Sequence, residues 1–513
     1  MDTGCPQQLT FWKLGKQQVT ATSKGGKVVS DAGLLPLRDF ERQLGLVAEV
    51  ARRLPDPRAQ AFVKHSQEAI LTQQVFQILA GYPDANDAQA LRSDSLFQTL
   101  VGSPPDEGRP LASRSTLIRH QNAYTRRDAE LPLTMRPALL DMRAAQTARI
   151  KILNELLVDW FIRTRSQPPA HVIIDLDATD DPTHGQQLLA GFHGYFDQHQ
   201  YFPLLAFDGD SGFPLAAWLR PGTVHASCGT VDTLKLIIHK LRAAWPNLTI
   251  LVRGDTGFAI PDIYEFCEAE GLLYCFGYGT NDVLKERTAA ALADLELYYA
   301  LFGEREEHVQ RFETLDDYQA GGWSRPRRIL AKIEINRHGV NRRFCVTNMS
   351  GHPHGIYHGF YVKRGDVPER PIGDLKNGLH ADRLSCHHFT ANSFRLLEHV
   401  IAYALVVLFR EATAAIPEVA NARIPTLRQH LWKVLERLIG TDLATLNGFT
   451  EANRARLLGN CYKHNGGRRN QEFVGDLNDG AVGEEIRYED EDWQALIDGI
   501  QSYLTDLAAR VWR

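Results

Sequence analysis

At 513 residues the chain exceeds what one hydrophobic core normally serves, which points to two to four domains, or to one domain with a large insertion. Its 57 Lys and Arg against 62 Asp and Glu leave a net charge of −5, so no global basicity signals a polyanion partner. Seven cysteines without a CxxC pair argue against structural zinc or a disulfide framework. The longest wholly apolar run, residues 400–409, is too short to span a bilayer, and the amino terminus lacks an apolar signal region. The expectation is a reduced, cytoplasmic protein with no membrane partner.

Residues 1–36 are rich in Gly, Ser and Thr and read as a loose arm with a strand or two. From 37 to 150 apolar residues recur at helical spacing, among them Leu46, Val47 and Val50, then Ile70, Val75, Ile78 and Leu79, which predicts a helical domain. Within it "RPLASRSTLIRHQNAYTRR" carries five arginines and no acid. The Ser-led helix in this stretch presents Arg114, Arg119 and His120 as a DNA-contacting helix would, and a solvated helix face accounts for the same pattern equally well.

A helix near 142–163 and the breaker "SQPP" lead into short strands, within a core segment spanning 151–285. "HVIIDLDATDDPTHGQQ" opens as a buried strand. "YFPLLAFDG" and "PLAAWLRPG" follow across a Gly-rich turn and read as antiparallel partners. An amphipathic helix over 231–245 leads to "LTILVRGDTGF", a helix over 261–271 and the strand "LLYCFGYG". Three strands in a meander, then helix, strand, helix, strand is the order of an RNase H-like α/β core with a mixed sheet. Residues 286–350 depart from it as a charged helical stretch and two strands about His338 and Gly339, a β-rich insertion. Residues 351–415 return to helix and end in a buried one over 392–410. From 416 to 513 a helical region gives way to an acidic tail with nine acids and one arginine between 472 and 492.

In an extended chain Asp175 and Asp177 point to the same face. Like charges so close need water, protons or a cation between them, and such pairs supply oxygen ligands to Mg²⁺. A second strand ends in Asp255, 78 residues beyond Asp177, and Glu369 stands 114 residues further on, at the predicted start of a helix.

On these residues the chain resembles the DDE transposases of bacterial insertion sequences, in the branch whose RNase H-like core is interrupted by a β-rich insertion. "DLDATDDPTHG", "RGDTGF" and "YVKRGDVPERPIGDLK" resemble the three acid motifs of that branch, and the last also resembles its Tyr, Arg, Glu, Lys signature, at Tyr361, Arg364, Glu369 and Lys376. The resemblance implies Asp177, Asp255 and Glu369 as catalytic ligands of two Mg²⁺ ions, with Mn²⁺ as a substitute and no organic cofactor. Two such ions can serve both the attacking and the leaving oxygen of phosphodiester cleavage. Arg364 and Lys376 would grip phosphates beside Tyr361. Asp175 is the rival first ligand; Asp177 is preferred because it lies nearer the strand end and two residues before a Thr, as in the family.

The resemblance further implies double-stranded DNA partners, namely terminal inverted repeats and target, a homodimer on DNA, and cut-and-paste transposition in a bacterial nucleoid. Trp323, beside Arg325, Arg327 and Arg328, is a candidate for stacking on an extruded base, with a core tryptophan as the alternative. The third motif departs from the family: four residues rather than three separate Arg364 from Glu369, and Pro371 requires the helix to begin no earlier than about Glu369. Two further readings stay open. "VIIDLDATD" also fits the nucleophile loop of haloacid dehalogenase-like phosphatases, with Asp175 attacking phosphate, and the altered third motif admits a catalytically inactive, transposase-derived DNA-binding protein.

Overall fold

The structure, a computed structural model, describes residues 8–14, 17–22, 31, 33–56, 58–122, 148–302, 308–366, 369–415 and 417–428. The chain divides into two compact units. One comprises residues 1–47, 63–114 and 409–513, and the other 48–62 and 115–408.

In the first unit β1 (Gln8–Leu14) and β2 (Gln17–Thr22) form an antiparallel hairpin, the strands expected in the amino-terminal arm. The helix Gln67–Ala80 is buried around most of its circumference, as an almost uncharged sequence allows. Ser66 caps it by accepting from the Ala69 amide at 3.1 Å, and buried Gln73 both donates to and accepts from the backbone of Ala112 at 3.0 Å.

The second unit is built on an eight-stranded mixed sheet. Its core strands are β3 (His171–Ala178), β7 (Leu204–Asp208), β8 (Pro214–Trp218), β9 (Thr249–Gly254) and β10 (Leu273–Tyr278). In space they run β10-β9-β3-β7-β8, with β3 parallel to β9, β9 parallel to β10, and β7 antiparallel to both β3 and β8. This is the RNase H-like arrangement expected from the meander and the alternation after it. Val172, Ile174 and Leu176 are fully buried on one face of β3, and Ile173 and Asp175 are buried on the other, so the central strand reads as a nearly continuous apolar run. At the sheet edge, Asn154 of the helix Ala148–Arg163 accepts from the Ala217 amide at 2.7 Å and donates to its carbonyl at 3.1 Å, occupying backbone groups that an edge strand leaves open.

Two features differ from the sequence reading. Between β3 and β7 lies a small three-stranded sheet, ordered β4 (Asp181–Pro182), β6 (Gln198–Tyr201), β5 (Gly191–His193). Strands of two to four residues give too short a pattern to register in sequence. The β-rich segment holds three strands, β11 (His308–Tyr318), β12 (Arg327–Asn336) and β13 (Gly339–Thr347), and it extends the main sheet because β13 pairs antiparallel with β10. The turn at His338 and Gly339 is where the sequence placed it. The helix Phe389–Ala412 is long and apolar enough to cross a membrane, yet its most apolar window is wholly buried in the protein, so its hydrophobicity serves the core.

Candidate active site

The register of two parallel strands sets the site. β3 pairs with β9 from His171↔Thr249 through Asp175↔Arg253, and two further residues along each chain stand Asp177 and Asp255. Asp177, near the end of β3 and still paired with Leu205 of β7, and Asp255, one residue past β9, therefore stand at the carboxyl ends of neighbouring parallel strands, where open α/β sheets place their ligands. Asp255 caps the short turn Thr256–Phe258, its Oδ1 accepting from the Gly257 amide at 2.8 Å. Gly254 before it is obligatory, since a Cβ there would lie 2.9 Å from the Phe258 ring.

Asp175 behaves differently from Asp177. It is fully buried and receives both Nε and Nη2 of Arg253, the latter at 2.9 Å. That two-pronged bond makes it a structural partner of the guanidinium and leaves Asp177 as the acid open to the site. Burial pushes the Asp177 carboxyl up to about 6; Arg364, with Nη1 3.8 Å from Oδ2, pulls it down and the charge of Asp255 pushes it up. The site thus holds two hard oxygen donors whose mutual repulsion is eased by one guanidinium.

The third motif is carried by a segment that folds back over these strands. Tyr361 ends the wide π-type turn Tyr357–Tyr361, and Lys376 lies in a second such turn, Asp374–Gly378; irregular helical turns of this kind recur at functional sites. The Tyr361 hydroxyl fills the space that Gly277 leaves beside the Thr256 amide, where a Cβ would approach it to 2.5 Å. Arg364 is half-buried, with its guanidinium 5.9 Å from the Tyr361 ring centre. Lys376 forms an ion pair at 2.6 Å with Asp180, three residues beyond Asp177, and Gln198 of β6 donates to the same carboxylate at 3.2 Å. A helical turn, Glu369–Gly373, begins at Glu369, as Pro371 demands. The Glu369 side chain lies outside the described residues.

Comparison with known proteins gives the family. The family model for the transposase DDE domain, group 1, matches residues 11–446. The chain belongs to the DDE transposase family. No curated protein sequence matches it. Among solved structures it is similar to a piggyBac transposase, solved as a synaptic complex with hairpin DNA, at 10% sequence identity and a TM-score of 0.38, over 87% of this chain and 83% of that one.

DDE transposases use divalent metal ions, and the residues of this transposase suit one in part. Asp177 and Asp255 offer oxygen donors at one end of the sheet. Among the described residues, no three His, Cys, Asp or Glu side chains stand close enough to hold a metal.

The remaining sequence-predicted residues of the transposase sort by exposure. Arg114 and Arg119 are exposed on the helix Arg114–Asn122, whereas His120 on the same helix is buried, its ring 5.8 Å from Phe394 and its proton affinity driven down to about 3 by burial and by Arg149. His120 is thus a packing residue. Trp323 is only 7% exposed, enclosed by Tyr264, Tyr278 and Tyr318 at 5.4–5.5 Å with Arg327 over its face. Stacking on an extruded base would require breaking that cluster, so the core alternative accounts for this tryptophan. Its neighbouring arginines also have protein partners. Arg325 and Arg327 converge on Glu268 at 2.6 and 2.8 Å, and Arg328 bonds Asp316 and the carbonyls of Met349 and Gly351.

The phosphatase reading fails on the same geometry. Asp175, its required nucleophile, is buried against Arg253, and the next strand of the main sheet, β7, runs antiparallel where that fold needs a parallel one. Sequence reasoning missed Arg253 and Asp180. The signal for Arg253 was present, since it precedes Asp255 by two residues as Asp175 precedes Asp177.

Proposed function

We propose that this transposase binds the inverted repeats at the ends of a bacterial insertion sequence, cleaves the DNA there, and joins the freed 3′-hydroxyls to target DNA by cut-and-paste. The observation that carries this reading is the placement of Asp177 and Asp255 at the ends of neighbouring parallel strands β3 and β9, with Arg364 of the third motif facing Asp177.

In this proposal Asp177, Asp255 and Glu369 hold two Mg²⁺ ions, for which Mn²⁺ substitutes. Bound there, the ions lower the proton affinity of the attacking oxygen and stabilise the leaving one. The chain's own residues bind and orient the DNA. Arg364, now facing Asp177, turns its planar fork to a phosphate beside the scissile bond, and Lys376 supplies a point charge that Asp180 keeps extended. Arg114 and Arg119, both exposed and the latter with Nε on the Ser115 carbonyl at 3.1 Å, contact the backbone of the flanking duplex. Joining two ends together calls for a homodimer on DNA, acting at the bacterial nucleoid.

The test uses the full chain and linear duplexes carrying the inverted repeats that flank its own gene. Strand cleavage is expected in Mg²⁺ or Mn²⁺, none in EDTA, and none from Asp177→Asn although that variant still shifts the duplex in a gel. Binding without cleavage by the unaltered chain would make it the inactive DNA-binding derivative, and full cleavage by Asp177→Asn would overturn the assignment of the first acid.

A further inference from the structure

We infer that Arg253 is a positioning residue of the active site, which clamps the segment bearing Tyr361 and Arg364 onto the two strands bearing the aspartates. The inference rests on the functional reading above and extends it to the residue two before the acid of the second motif.

Arg253 is 1% exposed, inside the sheet, and spends its donors on two segments at once. Nε and Nη2 grip Asp175 on β3, and Nη1 donates to the Phe360 carbonyl at 2.6 Å. The guanidinium also lies 5.2 Å from the Phe360 ring centre. A single planar group therefore fixes β9 to β3 one turn of the pleat below Asp255 and Asp177, and fixes the residue immediately before Tyr361 to both. The rest of the molecule makes room for it: at Gly209 a Cβ would stand 2.9 Å from Arg253 Nη2.

Only a rigid fork meets these demands together. A lysine keeps the charge but offers one nitrogen on a flexible stem, so it can satisfy Asp175 or the Phe360 carbonyl and hold neither at a fixed angle. Releasing Phe360 would let the segment from Tyr357 to Asp366 drift from the acids. A shift of about 1 Å at a reacting centre costs on the order of 100-fold in rate. Loss of a residue that orients metal ligands costs roughly 10- to 100-fold in metal affinity.

The experiment compares the full-length chain with Arg253→Lys and, as a control, Arg242→Lys, which removes another arginine fork, the one on Glu270 outside the site. Three readings are taken: amide hydrogen exchange of the peptide spanning 357–366, calorimetric titration with Mn²⁺ alone, and cleavage of the flanking-repeat duplex. Arg253→Lys should speed exchange in 357–366 while leaving the helix Thr230–Ala244 unchanged, weaken Mn²⁺ binding by about 10-fold or more, and slow cleavage by roughly 10- to 100-fold. Arg242→Lys should move none of these.

Unchanged exchange in 357–366, or Mn²⁺ binding within about twofold of the parent chain, would overturn the inference. Equal effects from both variants would reduce Arg253 to a general stabiliser and overturn it likewise. If the parent chain neither binds Mn²⁺ nor cleaves, the functional reading fails instead, and hydrogen exchange alone still decides whether Arg253 holds the segment.

Discussion

Replacing Asp177 by Asn should stabilise the metal-free protein above neutral pH while abolishing strand cleavage. Burial, against the pull of Arg364 and with the push of Asp255, raises this carboxyl from 3.8 to about 6. A group of this kind is protonated in both folded and unfolded chains at low pH and exerts no penalty there. As pH climbs from 3.8 through 6 the unfolded chain ionises it freely while the folded chain resists, and above 6 the whole cost is present. Roughly two units correspond to about 3 kcal/mol, at 1.36 kcal/mol each. The side chain is 19% exposed, so little of this is lost to solvent screening. A neutral isostere escapes the cost, and the attraction to Arg364 that it forfeits is already contained in the net shift. Denaturation in EDTA should therefore show Asp177→Asn more stable than the parent by about 1–3 kcal/mol at about pH 8, and by almost nothing at about pH 4. Saturating Mg²⁺ should reverse the order, because only the parent gains by binding it. A variant that is less stable than the parent at the higher pH without metal, or whose advantage does not change with pH, would refute the picture of a carboxylate awaiting a cation.

Asp175→Asn should behave in the opposite sense, because it strands the buried Arg253 without its counter-charge; a loss of about 3–5 kcal/mol in urea denaturation is expected, and a loss under about 1 would contradict the buried pair. Trp323→Ala should cost about 3–5 kcal/mol by opening a cavity among the tyrosines, with DNA end processing impaired only as far as folding is. Changing Arg114 and Arg119 together to Ala should leave stability within about 0.5 kcal/mol, since both heads are in solvent. The same double change should weaken DNA binding and lower the slope of log affinity against log salt by about 2; an unchanged slope would remove that helix from the DNA interface.

How much of this was legible in sequence depended on whether a residue's role was settled locally. The core strands were readable because each is a short apolar run closed by Gly or an acid, and the order meander, helix, strand, helix, strand fixes which can be neighbours. β11 was read as helix because "HVQRFETLDDY" is an edge strand whose charges face solvent, a composition that a charged helix shares. His120 and Trp323 were unreadable for a related reason. Their surroundings come from Phe394 and Arg149 in one case and from Tyr264, Tyr278 and Tyr318 in the other, and nothing in the flanking residues announces them.

The sharpest ambiguity, Asp175 against Asp177, shows what a second strand adds. Taken alone, "DLD" offers two acids on one face of a strand, separated physically only by which lies nearer the strand end. Taken with "RGD" in parallel register, it becomes two rows. In the row deeper in the sheet, Asp175 meets Arg253 and the charges cancel, so that row can be buried at tolerable cost. In the outer row Asp177 meets Asp255 and the charges add, so that row can persist only near solvent, with Arg364 beside it or a cation between. One arginine two residues before an acid thus separates the structural pair from the chemical one, and the same guanidinium, through the Phe360 carbonyl, brings the third motif to the row that needs it.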